Sequence, residues 1–355
     1  MSTPYHRLAR ETPEYAWWKL PVAGFLGVVL YLVATGLLLG AAFVTMAAIG
    51  GTERFDEWIN DAGDLNLARP DFFAFDMLSL GILIPALLLA VLATGPRPVG
   101  YLTSVTGRMR WDWLKHTTGL ATIVFGGGIG ALVALSYWID PESVQAPSAI
   151  DGSVVLVVVL VLALTPFQAA AEEYVFRGYL LQLVGSWTRF AWIPVVVSVP
   201  IFASGHPYNL WGLIDVGLFG LMAAFLVIRT GGLEAGIAAH TLNNVALFVF
   251  EALGMLNTST GGGPLDLIPT VVMNVLFIAL VERSVRRRGI VRTRPPIPPP
   301  PPPPVWMPPP VPVGYPQTYA PAYAPVYQPP PEWVPPPNTP AYPGYLPPGW
   351  RPPGA

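Results

Sequence analysis

The sequence contains no cysteine and few charged residues. Without cysteine, the 355-residue chain cannot form disulfides, thiolate metal sites or a cysteine nucleophile. Charged residues make up 11% of the chain and hydrophobic residues 53%, a composition typical of a polytopic membrane protein and not of a soluble globule. The net charge of −2 and the lack of a basic patch give no indication of a nucleic-acid partner.

Apolar runs of membrane-spanning length recur along most of the chain. The first, from Leu20 to Ala48, is too long for a signal peptide and is expected to remain as a membrane anchor. The region 174–189, between the fourth and fifth runs, is expected to form a membrane-embedded or interfacial half-helix. We predict an all-α polytopic membrane protein, a bundle of about eight transmembrane helices, at 21–49, 73–94, 118–138, 152–171, 191–206, 210–229, 232–251 and 265–282.

The charges of the connecting loops alternate in sign. Acidic residues dominate the loops after the first and third runs, whereas basic residues dominate the loop after the second run and the end of the eighth. Cytoplasmic loops of membrane proteins carry the excess of Lys and Arg. Both termini are therefore expected in the cytoplasm, with the chain integral to a bacterial cytoplasmic membrane. The basic residues are Arg97, Arg108, Arg110 and Lys115 after the second run, and Arg283, Arg286, Arg287 and Arg288 after the eighth.

The segment 295–355 differs abruptly in composition from the rest of the chain. It holds 28 of the 43 prolines and two charged residues, Glu332 and Arg351. Proline removes backbone donors and fixes φ, so this segment is predicted to be a disordered cytoplasmic tail that samples polyproline II. Such a tail serves either as a spacer or as a ligand for a partner with an aromatic-lined groove. The sequence leaves both roles open.

A short polar run, Glu172-Glu173-Tyr174-Val175-Phe176-Arg177, directly follows an uncharged apolar segment. An ionisable side chain at the centre of a membrane costs roughly 2.5–3.5 kcal/mol, so such groups are usually paired, inward-facing and functional. On a helix, Glu173 and Arg177 are i,i+4 neighbours in the favourable acid-first order. This spacing predicts a structural ion pair and leaves Glu172 free for a reactive role.

Two further polar groups lie within apolar runs, one at His206 and one at His240 with Asn244. Together with Glu172 they suit hydrolysis, because a desolvated glutamate can take a proton from water and a histidine can hold that water. His240 and Asn244, one helical turn apart, could donate to an oxyanion. Alternatively, Glu172, His206 and His240 could bind zinc with water at the open position. Neither a His-Glu-x-x-His motif nor a serine nucleophile motif is present.

Each of these polar groups also has a purely structural interpretation. A single buried histidine in a membrane helix is more often a packing hydrogen bonder than a catalyst, and asparagines join membrane helices at about 0.6–2 kcal/mol each. The coincidence of several hydrolytic groups on three separate runs favours the functional interpretation. A proton-coupled transporter would also use Glu and His, but the sequence offers no inverted repeat to support it.

These motifs, in this order on separate membrane helices, resemble those of the CPBP family of intramembrane proteases. The family includes type II CAAX prenyl endopeptidases and Abi bacteriocin-immunity proteins. The matching residues are Glu172, Glu173 and Arg177, then Phe202 with His206, then His240 with Asn244, and the resemblance covers about 150–255.

The resemblance implies a role for each matching residue. Glu172 would activate water with His206 as its partner, and Arg177 would orient Glu173. His240 and Asn244 would form the oxyanion site. The resemblance is compatible with zinc held by Glu172, His206 and His240 and with a metal-free glutamate mechanism.

One geometric difficulty accompanies this interpretation. Straight spans would place Glu172 near the cytoplasmic face and His206 near the outer face. Breaks at Pro166, Pro194, Pro200 and Pro207, or an embedded helix over 174–189, are expected to bring them level.

We therefore predict an intramembrane endopeptidase that hydrolyses a peptide bond of a membrane-associated substrate, CAAX-type substrates included. The alternative is a non-enzymatic membrane scaffold or immunity protein that recruits partners through its Pro-rich tail. The predicted organisation is a cytoplasmic N-terminal segment at 1–19, N-terminal transmembrane helices at 20–145, a catalytic helical core at 150–285 and the tail at 295–355.

Overall fold

The computed structural model describes residues 2–12, 14–49, 51–60, 67, 69–95, 97–139, 150–256 and 262–295. The predicted tail, apart from Pro295, lies outside these residues. Within them the chain is almost entirely helical. Its α-helices are α1 (Lys19–Ala48), α2 (Thr52–Asn60), α3 (Pro70–Gly81), α4 (Leu83–Thr94), α5 (Trp111–Ala121), α6 (Gly127–Ile139), α7 (Gly152–Glu172), α8 (Leu181–Trp187), α9 (Trp192–Ser204), α10 (Leu210–Thr230), α11 (Glu234–Ala252) and α12 (Leu267–Arg288).

Local sequence signals set several helix boundaries. The Asp151 carboxylate accepts from the backbone N–H groups of Ser153 and Val154 and caps the start of α7. Asn209 caps α10 in the same way. At the other end of α10, Gly231 has φ +69°, and a Cβ there would press on the carbonyl of Arg292. Glycine is therefore required where the chain turns from α10 into α11.

All eight predicted apolar runs are helical, but six of the described helical segments are long and apolar enough to cross a membrane. Of the eight predicted spans, the fifth and the seventh are not among these six. The fifth run forms α9, which has 13 residues. The seventh forms α11, which carries two glutamates, a histidine and two asparagines and is therefore less apolar. The six segments are Lys19–Ala48, Pro70–Thr94, Trp111–Ile139, Gly152–Trp187, Leu210–Thr230 and Pro264–Arg288.

The fourth segment does not end where the sequence predicted. Helix α7 continues without a break through π-helical turns at Glu173–Leu180 into α8. The region 174–189 is therefore mostly an extension of the span and not a separate half-helix. The continuous segment has 36 residues, which corresponds to a length on the order of 50 Å at about 1.5 Å per residue. Pro166 lies inside α7 without interrupting it.

Helix α11 occupies the interior of the bundle, where it packs against α5, α7 and α10. Every residue from Gly231 to His240 is buried. Next to it, Phe125 meets Phe219 and Phe277 edge to face, with ring centres 6.1 Å and 5.4 Å apart. The surface of α1, by contrast, exposes large apolar side chains, as expected of a helix that faces lipid. The bundle therefore places the first half of α11, which carries Glu234 and His240, where lipid does not reach it.

The two ends of the described chain meet at one end of the bundle. Thr3–Pro4 (β1) pairs antiparallel with Thr293–Arg294 (β2). The helical turn that follows β1 packs against α8, and the Tyr5 hydroxyl donates to the carbonyl of Leu102. This pairing puts residues 3–4 and 293–294 on the same side, in agreement with an arrangement in which both ends face one compartment.

A buried ion pair fastens the same end of the bundle. The Arg110 guanidinium donates to both Glu234 oxygens, at 2.8 Å and 2.6 Å, and also to the carbonyls of Thr230 and Val291. Glu234 is completely buried. One arginine thus ties the loop before α5 to α10, α11 and the segment after α12.

Removing this arginine is expected to destabilise the protein strongly. Arg110→Met leaves the Glu234 carboxylate buried and uncompensated, a change that costs about 3–5 kcal/mol. The apparent melting temperature of detergent-purified protein measures the effect. Arg229→Met, which breaks a more exposed pair with Glu282 at 2.7 Å, is the control and should cost about 0–1 kcal/mol. Equal losses in the two variants would contradict the assignment.

Candidate functional site

The predicted site residues meet where the long α7–α8 segment passes the end of α9 and the middle of α11. Fifteen residues separate Glu172 from the end of α8 at Trp187, and fourteen separate the start of α9 at Trp192 from His206. Because α8 packs against α9 and the chain reverses between them, these two nearly equal lengths of chain bring Glu172 and His206 to about the same level. The predicted depth mismatch arose from ending the helix at 171, and breaks at proline are not what removes it.

Glu173 and Arg177 form the buried ion pair that the spacing predicts. Arg177 Nη1 lies 3.0 Å from Glu173 Oε1, and both side chains are almost completely buried. The guanidinium also lies over the Phe202 ring, 3.9 Å from its centre, a cation–π contact. His240 Nδ1 is 3.0 Å from the same Glu173 oxygen. Glu173 is therefore held from two sides, and it in turn fixes the orientation of the His240 ring.

Glu172 has one occupied and one open carboxylate oxygen. Gln168 Nε2 donates to Oε1 at 2.8 Å. Oε2 is buried and has no hydrogen-bond partner among the described residues, with His240 Nε2 3.5 Å away. A buried acceptor without a donor is costly and usually marks a position that water or a ligand fills. Glu173 Oε2 is also buried without a partner, but Glu173 is paired with Arg177. Glu172 Oε2 is therefore the better suited of the two to accept a proton from a bound water.

His206 lies just beyond the end of α9 and faces the same region. Its Nδ1 is 3.1 Å from the Phe202 carbonyl. Because a carbonyl only accepts, Nδ1 carries the proton in this contact and Nε2 keeps its lone pair. No hydrogen bond joins His206 to Glu172 in the described part of the chain, but the Glu172 charge acts on the ring. The rings of His206 and His240 both contact Phe202, with centres 5.0 Å and 5.9 Å away.

The backbone at the site is itself irregular. The π-helical turns begin at Glu173, directly after Glu172, and such turns inside α-helices occur frequently at functional sites. The Ser198 hydroxyl donates to the Phe176 carbonyl at 2.9 Å, so it holds α9 against the irregular stretch. Ser198 therefore has a structural role, in agreement with the absence of a serine nucleophile motif from the sequence.

Gln168 is the site residue that the sequence analysis missed. It lies one helical turn before Glu172 and is 95% buried. Besides its bond to Glu172, its Oε1 accepts from Asn244 Nδ2 at 3.3 Å. An amide four residues before a glutamate in an otherwise apolar run was visible in the sequence. Its i,i+4 spacing could have identified it.

The six predicted site residues are thus all brought together. Glu172, Glu173, Arg177 and His240 are linked by direct contacts, Asn244 joins them through Gln168, and His206 faces them across Phe202. Their chemical roles stay predictions.

The residues named as zinc ligands do not fit a metal in this arrangement. Among the described residues, no group of three His, Asp or Glu side chains is placed to hold a metal ion. His240 directs both ring nitrogens at carboxylates, Nδ1 at Glu173 and Nε2 at Glu172. The reaction proposed for these residues therefore involves no metal.

Comparison with known proteins agrees with this geometry. Residues 153–246 match the family model described as type II CAAX prenyl endopeptidase Rce1-like. Over 213 residues the chain is 26% identical to a Bacillus subtilis (strain 168) protein named "Uncharacterized protein YyaK", a match that covers 56% of this chain and 70% of that protein. No solved structure matches the chain at a significant level.

The segment that carries the site is therefore similar to Rce1-like endopeptidases, which confirms the resemblance to CPBP proteins. At the level of the family, it supports an intramembrane protease of the CAAX-processing type. The apolar helices agree with an integral membrane protein.

The close fit around Arg177 yields a prediction for two glycines of α10. A Cβ at Gly220 would lie 2.9 Å from Arg177 Nη2 and 3.1 Å from Phe202 Cδ1, whereas a Cβ at Gly217 would meet nothing within 4 Å. Gly220→Ala should therefore disturb the ion pair and lower the apparent melting temperature. Gly217→Ala should be neutral or slightly stabilising, by up to about 1 kcal/mol, since alanine favours helix.

Thermal unfolding of both variants in the same detergent compares them directly. A Gly220→Ala variant as stable as Gly217→Ala would contradict the described packing of Arg177 against α10.

Proposed function

We propose that this chain is an intramembrane endopeptidase that hydrolyses a peptide bond of a membrane-associated protein or peptide. The observation that carries the proposal is the buried Glu172 Oε2, an acceptor without a donor that lies 3.5 Å from His240 Nε2. A CAAX-type substrate is the finer proposal, supported by the Rce1-like match over 153–246.

In the proposed reaction Glu172 is the general base. Its Oε2 takes a proton from a water molecule that His206 Nε2 helps to hold, and the water oxygen attacks the peptide carbonyl carbon. The carbonyl becomes a tetrahedral oxyanion. The proton on Glu172 then passes to the leaving nitrogen, the C–N bond breaks, and a carboxyl product and an amine product remain. Positioned general bases of this kind contribute about 10²–10⁴-fold to the rate.

His240 is the proposed oxyanion donor. Glu173 accepts from Nδ1 at 3.0 Å and Arg177 balances the charge of Glu173, so the ring is held rigidly with Nε2 directed toward the Glu172 region. With Nδ1–H donated to Glu173, donation from Nε2 to the developing oxyanion requires both ring nitrogens to carry a proton. Such preorganised donors stabilise charge in sites that exclude water. Asn244, the second predicted donor, directs its amide at Gln168 in this structure.

The substrate is proposed to reach the site from the bilayer. Apart from His206, which lies just beyond α9, the site residues lie on the α7–α8 segment and on α11. Phe167, beside Gln168, is exposed on the apolar outer surface. We further propose that both ends of the chain face the cytoplasm. The charge pattern of the loops and the β1–β2 pairing support that orientation. A partner for the Pro-rich tail stays a prediction.

Cleavage by purified wild-type protein and two variants tests the proposal. The substrates are a farnesylated peptide with a C-terminal CAAX sequence and a mixed library of membrane peptides. Glu172→Gln and His206→Ala should each lose cleavage by about 10²-fold or more, because each removes a group that handles the water proton. Ser204→Ala, next to the site but with its hydroxyl bonded locally to Ile201, is the control and should cleave normally.

Each reaction is repeated with a strong chelator, which should have no effect on a glutamate mechanism without metal. Loss of activity with chelator and its recovery with zinc would make the site a metal centre. Undiminished cleavage by Glu172→Gln would overturn the role of Glu172 as the general base. A Glu172→Gln strain that keeps its cellular role would overturn the enzyme proposal in favour of a scaffold.

A further inference from the structure

We propose that Gln168 is a positioning residue for Glu172, and that Asn244 acts through it. The inference rests on the proposed function, because positioning matters only if Glu172 is the base. It concerns residues on two helices, Gln168 on α7 and the asparagines on α11, and a chain of three side-chain amides that ends on one carboxylate oxygen.

The hydrogen bonds between these amides all run in one direction, from Asn243 to Glu172. Asn243 Nδ2 donates to Asn244 Oδ1 at 3.3 Å, Asn244 Nδ2 donates to Gln168 Oε1 at 3.3 Å, and Gln168 Nε2 donates to Glu172 Oε1 at 2.8 Å. The bonds shorten toward the carboxylate, as expected when the acceptor is charged. Chains of hydrogen bonds polarise one another, so each donor strengthens the next.

This series of hydrogen bonds makes the two oxygens of Glu172 inequivalent. Oε1 is occupied by Gln168, and Oε2 is left buried and without a donor. A glutamate has three rotatable side-chain bonds, so without this contact either oxygen could turn toward water. The amide therefore selects the oxygen that faces His240 Nε2. It also holds the carboxylate still, which is what a base needs to act on a water at a fixed place.

The same geometry changes the interpretation of Asn244. Its Nδ2 is directed at Gln168, away from any oxyanion bound at His240, and its Oδ1 accepts from Asn243. Asn244 thus influences the reaction by fixing the orientation of the Gln168 amide. Without Asn244, that amide could rotate and present its carbonyl oxygen to the carboxylate.

Kinetics of Gln168→Met test the positioning role. Methionine has nearly the same shape but neither donates nor accepts, so kcat for the peptide that wild-type protein cleaves should fall about 10- to 100-fold. KM should change by less than about threefold, since the residue contacts Glu172 and not the substrate. Leu162→Met, on the exposed surface of the same helix, is the matched control. Normal kcat in Gln168→Met would overturn the inference.

A second variant separates positioning from a loss of folding. Gln168→Glu keeps the shape, but its new carboxyl can donate to Glu172 only when protonated. Its kcat relative to wild type should therefore rise as the pH falls, and Gln168→Met should show no such rescue. A ratio of Gln168→Glu to wild-type kcat that does not rise toward low pH would contradict the donor role.

The double variant Gln168→Met/Asn244→Ala tests the order of the chain. If Asn244 acts through Gln168, the double variant should be no slower than Gln168→Met alone. If Asn244 donates to the oxyanion by itself, the two losses should multiply, and that result would overturn the second half of the inference.

Infrared difference spectra provide a readout that needs no substrate. Wild type minus Glu172→Gln isolates the carboxylate bands of Glu172, and the same difference in the Gln168→Met background should show them shifted, because Oε1 has lost its donor. Unshifted bands would overturn the contact. Shifted bands in a protein that cleaves none of the peptides would leave the contact standing while the endopeptidase proposal failed.

Discussion

The structure depends on the pairing of one buried arginine with only one of two adjacent buried carboxylates. Glu172 and Glu173 both lie in the bundle, and Arg177 is paired directly with Glu173. Desolvating charges is expensive unless each is paired and hydrogen-bonded. Glu173 has Arg177 and His240 as partners at Oε1, whereas Glu172 has a neutral amide at Oε1, and Oε2 of each carboxylate is buried without a donor. The reactive potential of Glu172 follows from the one difference between them, since only Glu173 is paired with an arginine.

The continuity of the α7–α8 segment is the second requirement. If the helix ended at the polar run, Glu172 would lie at the membrane surface and α9 would carry His206 past it. Because the segment continues through π-helical turns to Trp187, Glu172 lies well inside the helix. The short α9 then returns over nearly the same number of residues. The α7–α8 segment is longer than the bilayer requires and α9 is shorter, and these two differences compensate for each other.

The sequence was sufficient for the helices and for the charged members of the site, but not for the way they are connected. Apolar runs of spanning length locate all eight helical segments, and the i,i+4 spacing of Glu173 and Arg177 predicts their contact. Burial of α11 could not be read in the same way, because its polar residues are compatible with lipid only when other helices surround them. Gln168 was missed for a related reason: which buried amide meets which carboxylate is decided by packing between α7 and α11, and not by either helix alone.

The joining of the two chain ends determines how the molecule would respond to mechanical force. Arg294 in β2 pairs with Glu11 and lies over the ring of Tyr101, while β1 holds the strand from the other side. A pulling force applied to the chain beyond Pro295 is therefore borne first by the N-terminal segment and the 101–102 turn, and α12 is not peeled from the bundle until that fastening breaks. In this respect the first dozen residues act as the anchor point of the C-terminal segment.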